Sequence, residues 1–305
     1  MRHAATSGLA ALLLTAMGGC GGSDDTPAAA KQQAADASVS VVASTNVYGD
    51  IARQIGGEKV KITSIIRDPE QDPHSYEANP QNQLALSKAS VVIENGGGYD
   101  DFIDTMLKTA DNPSVALLNV VQISGKTAPA GGELNEHVWY DLPTVALLAD
   151  RLATALGKAD PTDAATFTAN ANAFKTKLQP LQSKAAQIKT AHAGTAVAIT
   201  EPVPGYLLQA AGLQDKTPEE FAEAIEEGND VPPRALADTL ALFTGKKVKA
   251  LVYNAQTSGP QTEKVEKAAK DNGIAVVPVT ETLPAGKDYL TWMDDNLTAL
   301  NSALS

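Results

Sequence analysis

The chain has 305 residues, of which 24 are Lys or Arg and 36 are Asp or Glu, so its formal net charge is −12 at neutral pH. An acidic chain without a basic cluster does not suit a phosphate backbone, and nucleic acid is therefore not an expected partner. The sequence contains a single cysteine, so no disulfide is expected within the chain.

Residues 1–19 are typical of a signal peptide. A short basic start precedes the apolar run 9–17, which is too short to span a bilayer. The segment 17–20 (MGGC) resembles a bacterial lipobox, although Met stands where Leu is usual. We therefore expect lipidation of Cys20, which would leave any metal site in the folded body with only nitrogen and oxygen donors. An ordinary secretory signal with an incidental cysteine is the alternative.

Residues 20–38 are small and polar beyond the cysteine, a composition that cannot bury a core and predicts a flexible tether. The remaining body of about 265 residues suits one large or two medium domains. No later apolar stretch is long enough to span a membrane.

Short apolar strands alternate with helices along the body. Runs rich in β-branched residues predict strands at 39–45, 60–66, 91–93, 115–118, 195–200, 248–253 and 275–279. Helical patterns lie between them, at 48–55, 81–89, 100–109 and 143–156. This alternation predicts an α/β fold with parallel sheets covered on both faces.

A stretch without strand signals, at 161–191, interrupts the alternation and predicts one long helix. Pro180 lies inside it and is expected to kink or split the helix. We therefore predict an amino-terminal α/β lobe at 39–158, a rigid linking helix at 159–193 and a carboxy-terminal α/β lobe at 194–305.

Two of the four histidines lie in polar segments that do not follow an apolar periodic face. His74 is in the segment 72–77 (DPHSYE), and His137 is in the segment 135–141 (NEHVWYD). Imidazole is a common ligand for divalent transition metals, so both histidines are candidate ligands. Asp141 is a candidate partner for the second ring nitrogen of His137.

Two carboxylates follow strands of the second lobe directly. Glu201 comes after the strand ending at Thr200, and Glu281 comes after the strand ending near Val279. Ligands of open α/β sheets bind beyond the carboxyl ends of the strands. We expect His74, His137, Glu201 and Glu281 to meet in the cleft between the lobes, where two carboxylates would neutralise a divalent cation.

The chain resembles the substrate-binding lipoproteins of bacterial metal ABC transporters, the cluster A-I group that takes up manganese, zinc or iron. The resemblance covers nearly the whole mature chain and is carried by the segments 43–46 (ASTN), 72–77, 87–96 (SKASVVIENG) and 136–141 (EHVWYD). It implies two α/β lobes joined by a rigid helix, with the metal between them. It also implies ligands at His74, His137, Glu201 and Glu281.

Two departures from the family pattern bear on the metal. Glu201 stands where many zinc importers have His, and Glu281 stands where Asp is usual. The stretch 124–135 lacks the His- and Asp-rich loop of many zinc members. Because carboxylates suit harder ions, we expect Mn²⁺ first, Zn²⁺ close behind and Fe²⁺ third.

The resemblance further implies an extracytoplasmic protein, anchored by lipid to the outer face of the bacterial cytoplasmic membrane. Its partner would be a cognate ABC permease, and we expect a monomer that is not an enzyme. A zinc-specific importer protein is one alternative. A secreted metalloenzyme with a His/Glu site is another, although no His-Glu-x-x-His motif is present.

The glutamate pairs at 219–220 and 226–227 are interpreted as solvated carboxylates.

Overall fold

The part of the chain that carries the fold follows the predicted tether. The computed structural model describes residues 39–68, 76 and 79–305. The predicted signal peptide, the lipidation site Cys20, the tether and the candidate ligand His74 lie outside the described residues. None of the helices in the described part combines the length and apolarity that crossing a membrane requires.

The first sheet has four parallel strands, in the order β2-β1-β3-β4. The central strands β1 and β3 are almost entirely buried because helices cover both faces, which explains their continuous apolar sequences. The strands are β1 (Val39–Thr45), β2 (Val60–Ile66), β3 (Val91–Glu94) and β4 (Ala116–Asn119).

The second sheet repeats this arrangement, in the order β6-β5-β7-β8. Its pairs are parallel, with Ile199 opposite Val252 and Asn254 opposite Val279. The strands are β5 (Ala196–Ile199), β6 (Gln214–Asp215), β7 (Ala250–Asn254) and β8 (Ala275–Val279). The prediction of an α/β fold with parallel sheets is confirmed, although the short, exposed strand β6 was not predicted.

Each sheet has a topological switch point beside its first strand. The chain passes from β1 to β2 on one side and then to β3 on the other, and β5, β6 and β7 repeat this path. Crevices form at such points, beyond the carboxyl ends of the strands. In the second sheet that crevice is bordered by Glu201 and Asn254, which lie at the ends of β5 and β7.

Helices cover the sheets and connect them. In the first half these are α1 (Asn46–Gly56), α2 (Pro80–Ser87), α3 (Phe102–Ala110), α4 (Val120–Ser124), α5 (Leu142–Ala159) and α6 (Ala164–His192). In the second half they are α7 (Gly205–Ala210), α8 (Glu219–Glu226), α9 (Pro233–Thr244), α10 (Pro260–Asp271) and α11 (Tyr289–Leu304).

Helix α6 is the predicted long helix. It runs for 29 residues and contacts α1, α5, α7 and α11, and so reaches both halves of the fold. The expected split at Pro180 does not occur, because Pro180 is exposed while the opposite face is held by packing. The buried residues of that face recur every three or four positions: Phe167, Ala171, Phe174, Leu178, Leu181, Ala185 and Ile188.

The largest hydrophobic core cluster contains residues from both sheets, from Val39 to Leu304. The two sheets therefore share one packed interior along α6. The boundaries 39–158, 159–193 and 194–305 remain a prediction.

The loop between β8 and α11 is hydrogen-bonded to the amino-terminal half. The side chain of Asn46 donates from Nδ2 to the carbonyl of Leu283 and accepts from its N–H, both at 2.9 Å. The hydroxyl of Tyr140 donates to the carbonyl of Thr280 at 2.7 Å. Both contacts flank Glu281 and fix its backbone against the other half.

The loop after β5 is also held by the amino-terminal half. Nδ2 of Asn135 donates to the carbonyl of Pro202 at 2.8 Å, and the hydroxyl of Tyr206 donates to the carbonyl of Asn135 at 2.6 Å. Gly205 lies so close that a Cβ there would come within 2.6 Å of Nδ2 of Asn135. The strand end that carries Glu201 is thus packed against the segment that carries His137.

Candidate metal centre

Glu201 and Glu281 share one hydrogen-bond donor. Nδ2 of Asn254 donates to Oε2 of Glu201 at 2.6 Å and to Oε1 of Glu281 at 2.8 Å. Both glutamates are 2% exposed. Because strands β5, β7 and β8 are neighbours, their carboxyl ends bring these side chains together, as the strand-end argument predicts.

Asn254 was not predicted as a site residue. At the end of an apolar strand, an asparagine is also typical of a turn, so the sequence pattern gave no reason to place it between two carboxylates. Its backbone N–H donates to Oγ1 of Thr200 at 2.8 Å. That bond fixes the amide group relative to the strand that precedes Glu201.

The loop that carries Glu281 is held by Gln256. Oε1 of Gln256 accepts from the backbone N–H of Glu281 at 2.5 Å and from that of Thr282 at 2.9 Å. Nε2 of Gln256 donates to Oγ1 of Thr282 at 2.7 Å. The glutamate is therefore positioned through its backbone as well as through its carboxylate.

Tyr99 connects the two halves of the centre. Its hydroxyl donates to Oε2 of Glu281 at 3.3 Å, and its ring lies edge-on to the His137 ring, with centroids 5.9 Å apart. Burial raises the pKa of Tyr99 well above its usual value, and the charge of Glu281 raises it further. The hydroxyl therefore stays protonated and able to donate.

His137 is fully buried, at 0% exposure, directly before a single 3₁₀ turn (Val138–Tyr140). Oδ1 of Asn135 accepts from the backbone N–H of His137 at 3.0 Å and lies 2.9 Å from its Nδ1. The other end of that amide donates to Pro202, so the oxygen must face the histidine. Nδ1 therefore carries the proton, and Nε2 is the ring nitrogen that can coordinate a metal.

Asp141 does not hold the ring of His137, contrary to the sequence-based expectation. Its carboxylate caps α5, accepting from the backbone N–H of Thr144 at 3.1 Å and from Oγ1 of Thr144 at 2.5 Å. It also lies 3.3 Å from Nζ of Lys126. Asp141 caps α5 because it immediately precedes that helix. The neutral amide of Asn135, and not Asp141, orients the ring of His137.

Glu226 is a second residue that the sequence did not identify. Its Oε1 lies 3.5 Å from Nε2 of His137, and its side chain is 12% exposed. The interpretation of 226–227 as solvated is thus wrong for Glu226 and right for Glu227, which is exposed. Helix α8 is amphipathic, and its periodicity marks the buried face but does not reveal what covers the edge of the polar face.

Glu226, Glu136 and His137 each offer a ligand atom within 4.8 Å of the others. Burial raises the pKa of Glu226 to about 9, and the nearby charges of Glu136, Glu201 and Glu281 contribute. Burial also raises the pKa of Glu136. The charges of three other glutamates therefore act on Glu226, which lies beside a buried imidazole, and a cation would stabilise this arrangement.

A cavity of about 740 Å³ opens beside this cluster, between the ends of the two sheets. Its wall is strongly acidic, with the carboxylates of Glu133, Glu136, Asp215, Glu219, Glu223, Glu226 and Glu227. A wall of one charge sign concentrates ions of the opposite sign, and here those ions are cations.

Among the candidate ligands, Glu201 and Glu281 lie together on Asn254, and His137 is joined to Glu281 through Tyr99. His74 lies outside the described residues. The complete set of four ligands therefore stays a prediction.

Comparison with protein families gives one match over most of the chain. The family model described as zinc-uptake complex component A, periplasmic (ZnuA) matches residues 41–303. Apart from the first two residues of β1, this range contains both sheets and α6, and it includes His137, Glu201, Asn254 and Glu281.

Two curated relatives are similar over most of their length. The manganese-binding lipoprotein MntA of Bacillus subtilis is 28% identical over 275 residues, which is 86% of this chain and 83% of the relative. The metal ABC transporter substrate-binding lipoprotein SloC of Streptococcus mutans is 25% identical over 293 residues, covering 91% and 94%.

Solved structures have the same fold. The periplasmic zinc-binding protein TroA of Treponema pallidum superposes with a TM-score of 0.74 at 18% identity, covering 88% of this chain and 99% of TroA. At this identity the likeness supports the arrangement of two sheets and a long helix.

Proposed function

The chain belongs to the family of zinc-uptake complex component A, periplasmic, and from this membership we propose that it captures a divalent transition metal outside the cytoplasm and delivers it to an ABC permease. Mn²⁺ is the favoured metal, with Zn²⁺ close behind and Fe²⁺ third. A transport role for the family fits the expectation that the chain is not an enzyme.

The observation that carries the proposal is the pair of buried carboxylates on Asn254. Glu201 and Glu281 are each 2% exposed and lie within hydrogen-bond distance of the same amide nitrogen. Two carboxylates held this closely repel each other, and their burial removes the water that would screen them. A divalent cation between them neutralises both charges.

His137 would supply a nitrogen donor to the same ion, through the Nε2 that Asn135 leaves unprotonated. His74, the remaining proposed ligand, would complete a shell of two imidazoles and two carboxylates. This set is neutral overall with a divalent cation, so little charge remains uncompensated in the buried site.

The preference for Mn²⁺ is supported by the two carboxylate donors, because hard oxygen ligands suit this ion. The names of MntA and SloC, which specify manganese and a metal, agree with it. Zinc follows closely, since it binds mixed nitrogen and oxygen sites more tightly than manganese in the usual affinity order, and geometry must then select.

The family and the sequence support a proposed location and proposed partners. The relatives named as lipoproteins support lipid anchoring at Cys20, on the outer face of the bacterial cytoplasmic membrane. We propose a monomer that docks on a cognate permease.

The test is elemental analysis of protein purified without chelator, followed by competitive Mn²⁺ and Zn²⁺ titration of the wild type and Glu201→His. An added imidazole suits Zn²⁺ more than Mn²⁺, so the variant should shift the preference toward Zn²⁺. An unchanged preference would show that Glu201 does not discriminate between the metals. A wild-type protein that binds neither metal would refute the proposed function.

A further inference from the structure

We propose that Glu226 of α8 is an additional ligand of the captured metal, an inference that rests on the proposed function. Nothing in the sequence patterns or in the family resemblance marks this residue. It lies where the acidic cavity meets His137, and it is contributed by a helix that carries none of the four predicted ligands.

The distance between Glu226 and His137 suits two ligands of one ion. Their donor atoms, Oε1 and Nε2, are 3.5 Å apart, longer than a good hydrogen bond. Two ligand atoms at ordinary metal–ligand distances of about 2.1 Å are separated by about 3.0–3.4 Å when the angle at the ion is about 90–110°. The two atoms are thus spaced as ligands that an ion brings together.

Burial also favours a cation at this oxygen. Oε1 of Glu226 is buried and has no hydrogen-bond donor among the described residues. A buried oxygen that lacks a donor carries an unrecovered desolvation cost. No Lys or Arg is within 4.0 Å of this carboxylate among the described ion pairs, so a bound metal would supply the positive charge that the described side chains do not.

The position of Glu226 gives the ligand a role in capture. The cavity wall includes Glu219, Glu223 and Glu227 from the same helix, so a cation is attracted along α8. Glu226 lines the cavity and also lies against the fully buried His137. An incoming cation therefore meets Glu226 before it reaches the imidazole.

The test compares Glu226→Ala and Glu226→Gln with a matched control, Glu220→Gln. The control removes the same charge from an exposed residue of α8 that lies outside the described lining of the cavity. Binding of Mn²⁺ is measured by competitive titration, and the rise in melting temperature with added Mn²⁺ is measured for each metal-free protein.

We expect Glu226→Ala to weaken Mn²⁺ binding by about tenfold or more, since even residues outside the ligand shell change affinity by 10- to 100-fold. Glu220→Gln should stay within about twofold, because solvent and salt screen an exposed charge outside the cavity. The electron paramagnetic resonance spectrum of bound Mn²⁺ should change in both Glu226 variants.

An affinity of Glu226→Ala within threefold of the wild type, or tighter than it, overturns the inference; any larger loss that the control does not share supports it. Thermal unfolding of the metal-free variants shows whether they are folded. If Glu226→Ala is unfolded, the same comparison is made with Glu226→Gln, which keeps the volume of the side chain. Failure of the proposed function is distinct, because the wild type would then bind no metal.

Discussion

The hydroxyl of Tyr99 donates a hydrogen bond of 3.3 Å to Oε2 of Glu281, although the two residues are 182 positions apart in the sequence. The bond joins the amino-terminal half to a proposed ligand of the carboxy-terminal half. The ring of Tyr99 also packs on Trp139, with centroids 4.7 Å apart. This packing holds the hydroxyl of Tyr99 in position.

We expect Tyr99→Phe to weaken metal binding by about tenfold, because hydrogen bonds to charged groups contribute about 1.5–3 kcal/mol. The phenyl ring keeps the contacts with His137 and Trp139. Titration calorimetry with Mn²⁺ measures the affinity, and thermal unfolding of the metal-free variant shows whether it is folded. Equal affinity in both proteins would show that the bond does not position Glu281.

Asn254→Ala should weaken metal binding by about 10- to 100-fold, because both proposed carboxylate ligands lose their common donor. The metal-free variant should also lose about 2–4 kcal/mol of unfolding free energy, since two buried carboxylates lose a partner. Denaturant unfolding and competitive titration measure the two effects. Asn272→Ala, which removes a side-chain bond at the end of α10, is the control and should leave affinity unchanged.

Glu94→Gln tests a buried carboxyl away from the metal centre. Burial raises the pKa of Glu94 from 4.5 to about 7, and the charge of Asp104 adds to this against the hydrogen bond from Asn119. The folded protein therefore holds a proton that the unfolded chain releases, and the contribution of Glu94 to the stability of the wild type falls as pH rises from 4.5 to about 7.

Because glutamine does not ionise, the variant lacks this loss. Relative to the wild type it should gain about 1–3 kcal/mol of unfolding free energy between pH 5 and pH 8. Urea unfolding of metal-free protein at both pH values measures the gain. Glu58→Gln, at an exposed position, is the control. A constant difference between wild type and Glu94→Gln at the two pH values would contradict the raised pKa.

Pro180→Ala should stabilise the protein by about 1–3 kcal/mol, because proline inside a helix removes one backbone hydrogen bond and clashes with the preceding turn. Pro180 is exposed, so alanine creates no cavity. Pro260→Ala is the comparison, since Pro260 lies at the first position of α10, where no N–H partner is lost. Thermal unfolding should show a higher melting temperature only for Pro180→Ala.

The sequence predicted the elements whose burial is visible as a continuous run of apolar residues. Strands β1 and β3 are buried on both faces and read as continuous apolar runs. Glu201 and Glu281 were predictable because the carboxyl ends of parallel strands share one edge. The same reasoning brought them together without any knowledge of strand order.

The parts that the sequence did not predict depend on tertiary contacts. Asn254 lies at the site because its strand neighbours the strand that precedes Glu201, and Glu226 lies there because α8 approaches His137. No local sequence periodicity indicates either contact. Asp141 was predicted to bind the ring of His137 because the two residues are close in the sequence, but its carboxylate caps α5 instead. The expected break at Pro180 failed because packing on the opposite face of α6 outweighs the local cost.

The hydrogen bonds that cross between the halves also have a kinetic consequence. Asn46, Tyr140, Asn135 and Tyr206 together make five of them beside the two proposed carboxylate ligands. At about 0.5–1.5 kcal/mol each, their simultaneous loss is a rare event. The residence time of a bound ion in free solution should therefore be long, and the delivery rate should depend on how fast a docked permease breaks these bonds.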